Sequence, residues 1–299
     1  MGVSSATTVS ACAACRGTKL ARFMELVDAS GRPARLLRCR RCHLVQVAAL
    51  PSDAELIAHY SHYSYDAAAA WEVSTATTLS LQRLAERLAP YRANGRLLDV
   101  GCGAGAVLRA LSGNGWKCEG TEMSDVAARR LREEGFIIHV GTMEALAGGL
   151  GSYDVVVMSE TIEHVRDPRR LMEATARVIR PGGAIYLTTP HIDSLSRRLL
   201  GARWRPIEVP EHLFYFNTRS MKRLLRAVGL RPTEIWTDGI NPFEAFASVP
   251  HGATTQARTE TLRQAAAHSR SLALAKASVN AALRVLRLGD TLKAVAEAR

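Results

Sequence analysis

The chain has 299 residues, of which 47% are apolar, 22% charged and 6% aromatic, a balance that excludes disordered, collagen-like and coiled-coil classes. Its 39 basic residues, 34 of them arginine, outnumber 28 acids to give a formal charge of +11, which attracts phosphates, nucleotides and anionic lipids alike without selecting among them. Apolar runs such as 155–158 and 184–187 fall far short of the roughly 18 residues a membrane span needs. The N-terminal MGVSSATTVS lacks the basic start and apolar stretch of a secretory signal, so a cytoplasmic protein without a transmembrane segment is expected.

Six cysteines fall into two kinds. Cys12 and Cys15 (CAAC) and Cys39 and Cys42 (CRRC) form paired knuckles, whereas Cys102 and Cys118 stand apart. Two C-x-x-C knuckles close tight turns on one tetrahedral ion, and the stretch between them is long enough for the hairpin of a zinc ribbon. KLARFMELVD and RPARLLR flank Ala29-Ser30-Gly31 as two short strands around a turn. The other reading is two disulfides or idle thiols, which a cytoplasmic chain seldom keeps as structure. The expectation is a structural zinc on Cys12, Cys15, Cys39 and Cys42 in a module over 1–48; four thiolates leave no open position for chemistry.

A connector over 49–94 follows, with a HYSHYSY cluster and then LSLQRLAERLAPY at helical spacing. Tyr60, Tyr63 and Tyr65 read either as a lid over a wet cleft or as packing between ribbon and main domain. From 95 onward strand-like and helix-like runs alternate: RLLDV, VLRALSGNG, WKCEGTE, DVAARRLREEG, FIIHV and YDVVVMS, then PRRLMEATARVIRPGG, AIYLTTP, TRSMKRLLRAVG and RPTEIWT. Such alternation predicts a parallel sheet covered by helices, with ligands beyond the carboxyl ends of its strands.

The first of those ends is LLDVGCGAG, where a buried strand closes on Asp99 and opens into a turn with Gly101, Gly103 and Gly105. The glycines let backbone approach a ligand, and the following helix start offers N–H groups to it. Glu122, about twenty residues on, is placed to accept hydrogen bonds from both hydroxyls of a ribose.

With the run SETIEHVRDP at 159–168, these residues resemble the class I S-adenosylmethionine (SAM)-dependent methyltransferases over about 80–237. The resemblance implies an α/β, Rossmann-like seven-stranded methyltransferase sheet over 95–299, SAM as cofactor, and a site in which Asp99 organises the loop and the amino-acid end of the cofactor. Gly101, Cys102, Gly103 and Gly105 would line it, Glu122 would hold the ribose with Met123 beside it, and Ser159, Glu160 and His164 would border the methionine moiety. The acid often found beside the adenine is absent from Gly141-Thr142-Met143-Glu144, which leaves that role to Thr142, Met143 or Glu144. The local alternative for His164 and Asp167 is the start of the next helix, with Asp167-Pro168 as N-cap and first residue.

Methyl transfer needs alignment and, for a hydroxyl or acidic carbon, a base. His191 after the strand AIYLTTP, and the pair Glu211-His212 in PEHLFYFN, are the candidates, since histidine titrates near neutrality and an adjacent acid can orient it. That segment is similar to zinc-ribbon sugar C-methyltransferases but departs from them at Val209 and Pro210; its local alternative is a cap on the helix near Thr218. GDTLKAVAEAR resembles the last strand of the methyltransferase sheet, which makes 240–288 a helical insertion whose Leu272, Ala275, Val279, Leu283 and Leu286 share one face. That face reads as a core or dimer contact, with a peripheral membrane contact through 271–288 as the second reading. The expected function is methyl transfer from SAM to a small molecule, glycan or sugar precursor. An RNA methyltransferase and a non-catalytic cofactor-binding module are the alternatives; Phe23 as the ribbon's one aromatic speaks against base stacking there.

Overall fold

A computed structural model describes residues 7–28, 31–52, 54–56, 75–239 and 270–299, with side chains outside 75–79 and 270–277. Tyr60, Tyr63 and Tyr65 lie outside the described residues.

The N-terminal part carries β1 (Thr7–Thr8), β2 (Leu20–Val27), β3 (Pro33–Cys39), β4 (Val45–Val47) and β5 (Ala49–Leu50). β2 and β3 form the expected antiparallel hairpin, Val27 opposite Pro33 and Leu20 opposite Cys39, which delivers Cys39 back beside the first knuckle. After α1 (Thr75–Leu88) come β6 (Arg96–Val100), α2 (Ala106–Ser112), β7 (Lys117–Glu122), α3 (Asp125–Glu133), β8 (Ile137–Val140), α4 (Met143–Leu146) and β9 (Tyr153–Ser159). The chain continues through α5 (Pro168–Val178), β10 (Ile179–Pro190), α6 (Leu195–Leu200), β11 (Phe214–Tyr215), α7 (Thr218–Ala227), β12 (Arg231–Asp238), α8 (Arg270–Leu286) and β13 (Thr291–Glu297).

Seven strands form one sheet in the order β12-β13-β10-β9-β6-β7-β8. β10, β9, β6, β7 and β8 run parallel, and β13 pairs antiparallel with both β10 and β12. Helices cover both faces of such a sheet, so its central strands are continuous apolar runs; in YDVVVMS, six of seven residues are buried. Strand order reverses between β9 and β6, which makes that crevice the switch point of the fold. Asp154 pins the entry to β6: one carboxylate oxygen accepts the N–H groups of Ala93, Asn94, Gly95 and Arg96, and the other pairs with Arg180 at 2.5 Å.

The ribbon is not a separate bead. Its sheet has the order β11-β4-β3-β2, so a strand from the middle of the main domain completes it. Leu36, Leu44, Val45 and Val47 share one apolar cluster with Ile162, Leu213, Phe214 and Tyr215. At the other end, α8 packs against β12, and the expected one-face stripe is interrupted. Leu283 is 5% exposed, but Val279 is 47% and Leu286 64% exposed, while the side chains of Leu272 and Ala275 lie outside those described. No helix among the described residues is long and apolar enough to cross a membrane.

Candidate active site

The turn after β6 carries Gly101, Gly103 and Gly105 at φ of +70°, +51° and +78°, backbone that L residues seldom adopt. Space matters as well as φ: a Cβ on Gly101 would stand 2.7 Å from Thr161 Cγ2, in the loop after β9. Glu122, at the end of β7, is buried and organises the turn from below. One of its oxygens accepts the N–H of Gly103 at 2.8 Å, and the other those of Met123 and Ser124 at 2.8 Å each. Asp99 is 2% exposed; burial first, and the Glu122 charge second, push its carboxyl up to about 7. No hydrogen bond among the described residues offsets either effect. A buried carboxyl next to a second carboxylate suits a ligand that brings hydroxyls and positive charge, as SAM does.

A second set of groups gathers after β9. Glu160 sits at φ +48°, its N–H bonded to the Thr188 carbonyl at 3.1 Å, and the chain turns Glu163 inward. Glu163 is fully buried. One of its oxygens accepts from Thr189 Oγ1 at 2.9 Å, and the other has no hydrogen-bond partner among the described residues. Burial, then the nearby Glu160 charge, holds its carboxyl well above the usual range. His164 and His212 stack edge to face at 4.6 Å beside it. Ligand atoms of Glu163, His164 and His212 lie within 4.8 Å of one another, a set that can hold a divalent cation or move a proton. His212 Nδ1 donates to the Pro206 carbonyl at 2.7 Å and His164 Nδ1 to the Glu211 carbonyl at 3.0 Å. A carbonyl only accepts, so in the neutral rings the proton sits on Nδ1 and the basic lone pair on Nε2.

The ribbon builds this second edge. Val45 and Gln46 of β4 pair with Tyr215 and Phe214, and Val47 N–H donates to the Leu213 carbonyl at 3.0 Å. Leu213 and Phe214 N–H in turn donate to the Glu163 carbonyl at 2.8 and 3.2 Å. Asn217 Nδ2 donates to the His43 carbonyl at 3.0 Å, and Arg38 pairs with Asp193 at 2.9 Å. Inside the knuckles, Cys12 and Cys42 Sγ stand 3.4 Å apart, Cys15 and Cys39 Sγ 3.6 Å, and all four lie within 4.8 Å of one another. A disulfide needs about 2.0 Å. Four thiolates about 2.3 Å from one tetrahedral ion sit roughly 3.8 Å apart, so the donor set fits zinc. The hydrogen bond from Cys12 lowers the Cys42 thiol to about 5 and raises that of Cys12, the behaviour of thiols that share protons.

The remaining sequence candidates have definite places. Cys102 is buried at the turn, Met123 is 40% exposed, and Met143 is buried beneath the surface. Thr142 caps α4 by accepting the Ala145 N–H, and Ser159 Oγ meets Thr188 Oγ1 at 3.3 Å. Asp167 caps α5, accepting from Arg169 and Arg170 N–H, as the local reading had it. His191 is 2% exposed, its Nδ1 donates to the Gly289 carbonyl at 3.0 Å, and burial lowers its pKa, so its ring is held within the packing at the end of β10. Glu211 enters the cluster through its carbonyl. The residue that sequence reasoning passed over is Glu163; the signal was present in E-T-I-E-H, whose two acids three apart share one turn of chain.

Comparison with known proteins agrees with this fold. A family model described as a methyltransferase domain matches residues 74–235, more than half of the chain. A ubiquinone biosynthesis O-methyltransferase of Thiobacillus denitrificans is 30% identical over 160 residues, 49% of this chain and 69% of that one. Two solved structures share the fold. One is a SAM-dependent methyltransferase of Thermotoga maritima, described as a possible histamine N-methyltransferase (19% identity, 74% of this chain and 89% of that chain, TM-score 0.50). The other is a geranyl diphosphate methyltransferase in complex with SAM (18% identity, 83% and 95%, TM-score 0.51). The chain belongs to the methyltransferase-domain family and is a SAM-dependent methyltransferase of class I fold.

Proposed function

We propose that this enzyme methylates a hydroxyl of a small molecule, with His212 as the base and a structural zinc on Cys12, Cys15, Cys39 and Cys42. The observation that carries the reading is the fixed tautomer of His212 beside the buried Glu163, next to the loop that packs on the glycine turn. SAM, when bound, supplies an electrophilic methyl group on a sulfonium. Asp99 and the backbone of Gly101, Gly103 and Gly105 would hold its amino-acid end, Glu122 would receive the ribose hydroxyls, Ser159 and Glu160 would border the methionine moiety, and Thr142 and Met143 would flank the adenine. His212 takes the acceptor proton on Nε2, beside the buried Glu163 carboxyl. His164 holds the Glu211 carbonyl and so keeps the 206–217 segment in place.

The relative in ubiquinone biosynthesis supports oxygen as the methylated atom. A sugar or glycan precursor is the second acceptor class, favoured by the Glu-His-aromatic segment at 211–216. The test is incubation with methyl-labelled SAM and a cell extract separated into small-molecule, glycan, RNA and protein fractions, with Asp99→Ala as the blank. Label in the small-molecule fraction, lost by His212→Ala and retained after chelation of loosely held divalent ions, supports the reading. Label in RNA or protein overturns it.

A further inference from the structure

Away from both edges, the structure holds a cavity of about 550 Å³ lined by Ala14, Cys15 and Ala227 and by six cations, Arg41, Arg169, Arg219, Lys222, Arg223 and Arg226. Three elements bring them together. Arg41 comes from the second cysteine knuckle, Arg169 from the first turn of α5, and the other four from α7. The sequence of α7, TRSMKRLLRA, places Ser220, Met221, Leu224 and Leu225 in the core and turns Arg219, Lys222, Arg223 and Arg226 outward. The helix contains no acid. Arg169 pairs with Glu173, but among the described residues the other five cations meet no carboxylate.

An ordinary solvated helix face intersperses charges of both signs. Five uncompensated cations converging on one concavity repel each other unless an anion joins them, and four of them are guanidinium forks, which match phosphate oxygens two at a time. Arg219 and Arg226 are seven residues apart, roughly 10 Å along the helix, a longer reach than one diphosphate requires. Among the described residues no aromatic ring lines the cavity, so none of them would stack on a base or a nucleoside. Its concave wall favours a strand over a flat lipid surface. We propose that this cleft binds the phosphodiester backbone of a nucleic-acid strand, independently of sequence and apart from the methyl-transfer site. This inference stands whatever the acceptor of the methyl group proves to be.

The experiment is fluorescence anisotropy of a labelled 20-nucleotide mixed-sequence single strand, as RNA and as DNA, with the full-length zinc-loaded protein between 50 and 200 mM salt. Five phosphate contacts give a log–log salt slope of about −3.5 and a loss of affinity of about 100-fold over that range. RNA and DNA should bind alike, because only backbone is contacted. Arg219→Ala/Arg223→Ala/Arg226→Ala should flatten the slope by about 2 and reduce the salt-dependent loss to roughly tenfold. Arg83→Ala/Arg129→Ala/Arg130→Ala, which removes the same charge elsewhere, should leave the slope unchanged. SAM affinity and melting temperature of both triple variants should match the parent, which separates loss of the cleft from loss of the fold. Equal effects of the two triple variants, no measurable binding by the parent, or competition by pyrophosphate at micromolar concentration, which would mark a small-anion site, overturns the proposal.

Discussion

The two edges of the site are built by opposite means. The cofactor edge is local: Asp99, the three glycines and Glu122 lie within 24 residues, and Glu122 fixes the turn through backbone hydrogen bonds from Gly103, Met123 and Ser124. The acceptor edge is assembled from distant pieces. Glu163 follows β9, Thr189 lies near the end of β10, His212 precedes β11, and β11 is held by β4 of the ribbon. A local turn survives most distant disturbances, whereas an edge whose strand pairing depends on another module fails when that module loosens. On the function proposed above, the ribbon would serve catalysis by position, through β4 and β11.

Substitutions separate the two edges. His212→Ala should lower turnover by about 10²- to 10⁴-fold, the usual worth of a positioned base. Its SAM affinity should stay within about twofold, read by calorimetric titration; a parallel loss of SAM affinity would place His212 on the cofactor edge. Asp99→Ala should weaken SAM binding by at least about 100-fold, or roughly 3 kcal/mol, while the melting temperature holds or rises because an unfavourable buried carboxyl has gone. Unchanged affinity would sink the assignment of the pocket.

A smaller effect comes from pH. The Asp99 carboxyl is raised from 3.8 to about 7 in the folded protein, so the free enzyme loses stability as pH rises from the unfolded value toward 7 and loses no more once this buried group has ionised. A cationic ligand prefers the carboxylate. SAM affinity should therefore rise about tenfold from pH 6 to a plateau above 7, with a proton released on binding at pH 6. Flat affinity over that range would mean that Asp99 carries no charge toward the ligand.

The same contrast explains what could be read from sequence. The glycine turn, Glu122 and the four cysteines are legible because spacing along the chain sets their geometry. The strand β13, placed by GDTLKAVAEAR, was legible because its apolar pattern fits a buried strand between β10 and β12. His191 and His212 look equivalent as sequence; the carbonyl of Gly289, 98 residues away, holds the first in the packing, and that of Pro206 orients the second. Glu163 is distinctive only through burial, which Thr189 and β11 impose. The exposed Val279 and Leu286 show the reverse: helical spacing announces a face but not how much of it meets the core.

The most direct test of the ribbon's role is to strip the zinc with a chelator and titrate the product with SAM while following hydrogen exchange across 43–47 and 206–217. Dependence of the acceptor edge on the ribbon predicts SAM affinity within about twofold of the loaded protein, faster exchange in both segments, and loss of methyl transfer that returns with zinc. Retained transfer, with exchange at 206–217 unchanged once the cysteines are metal-free, would contradict it.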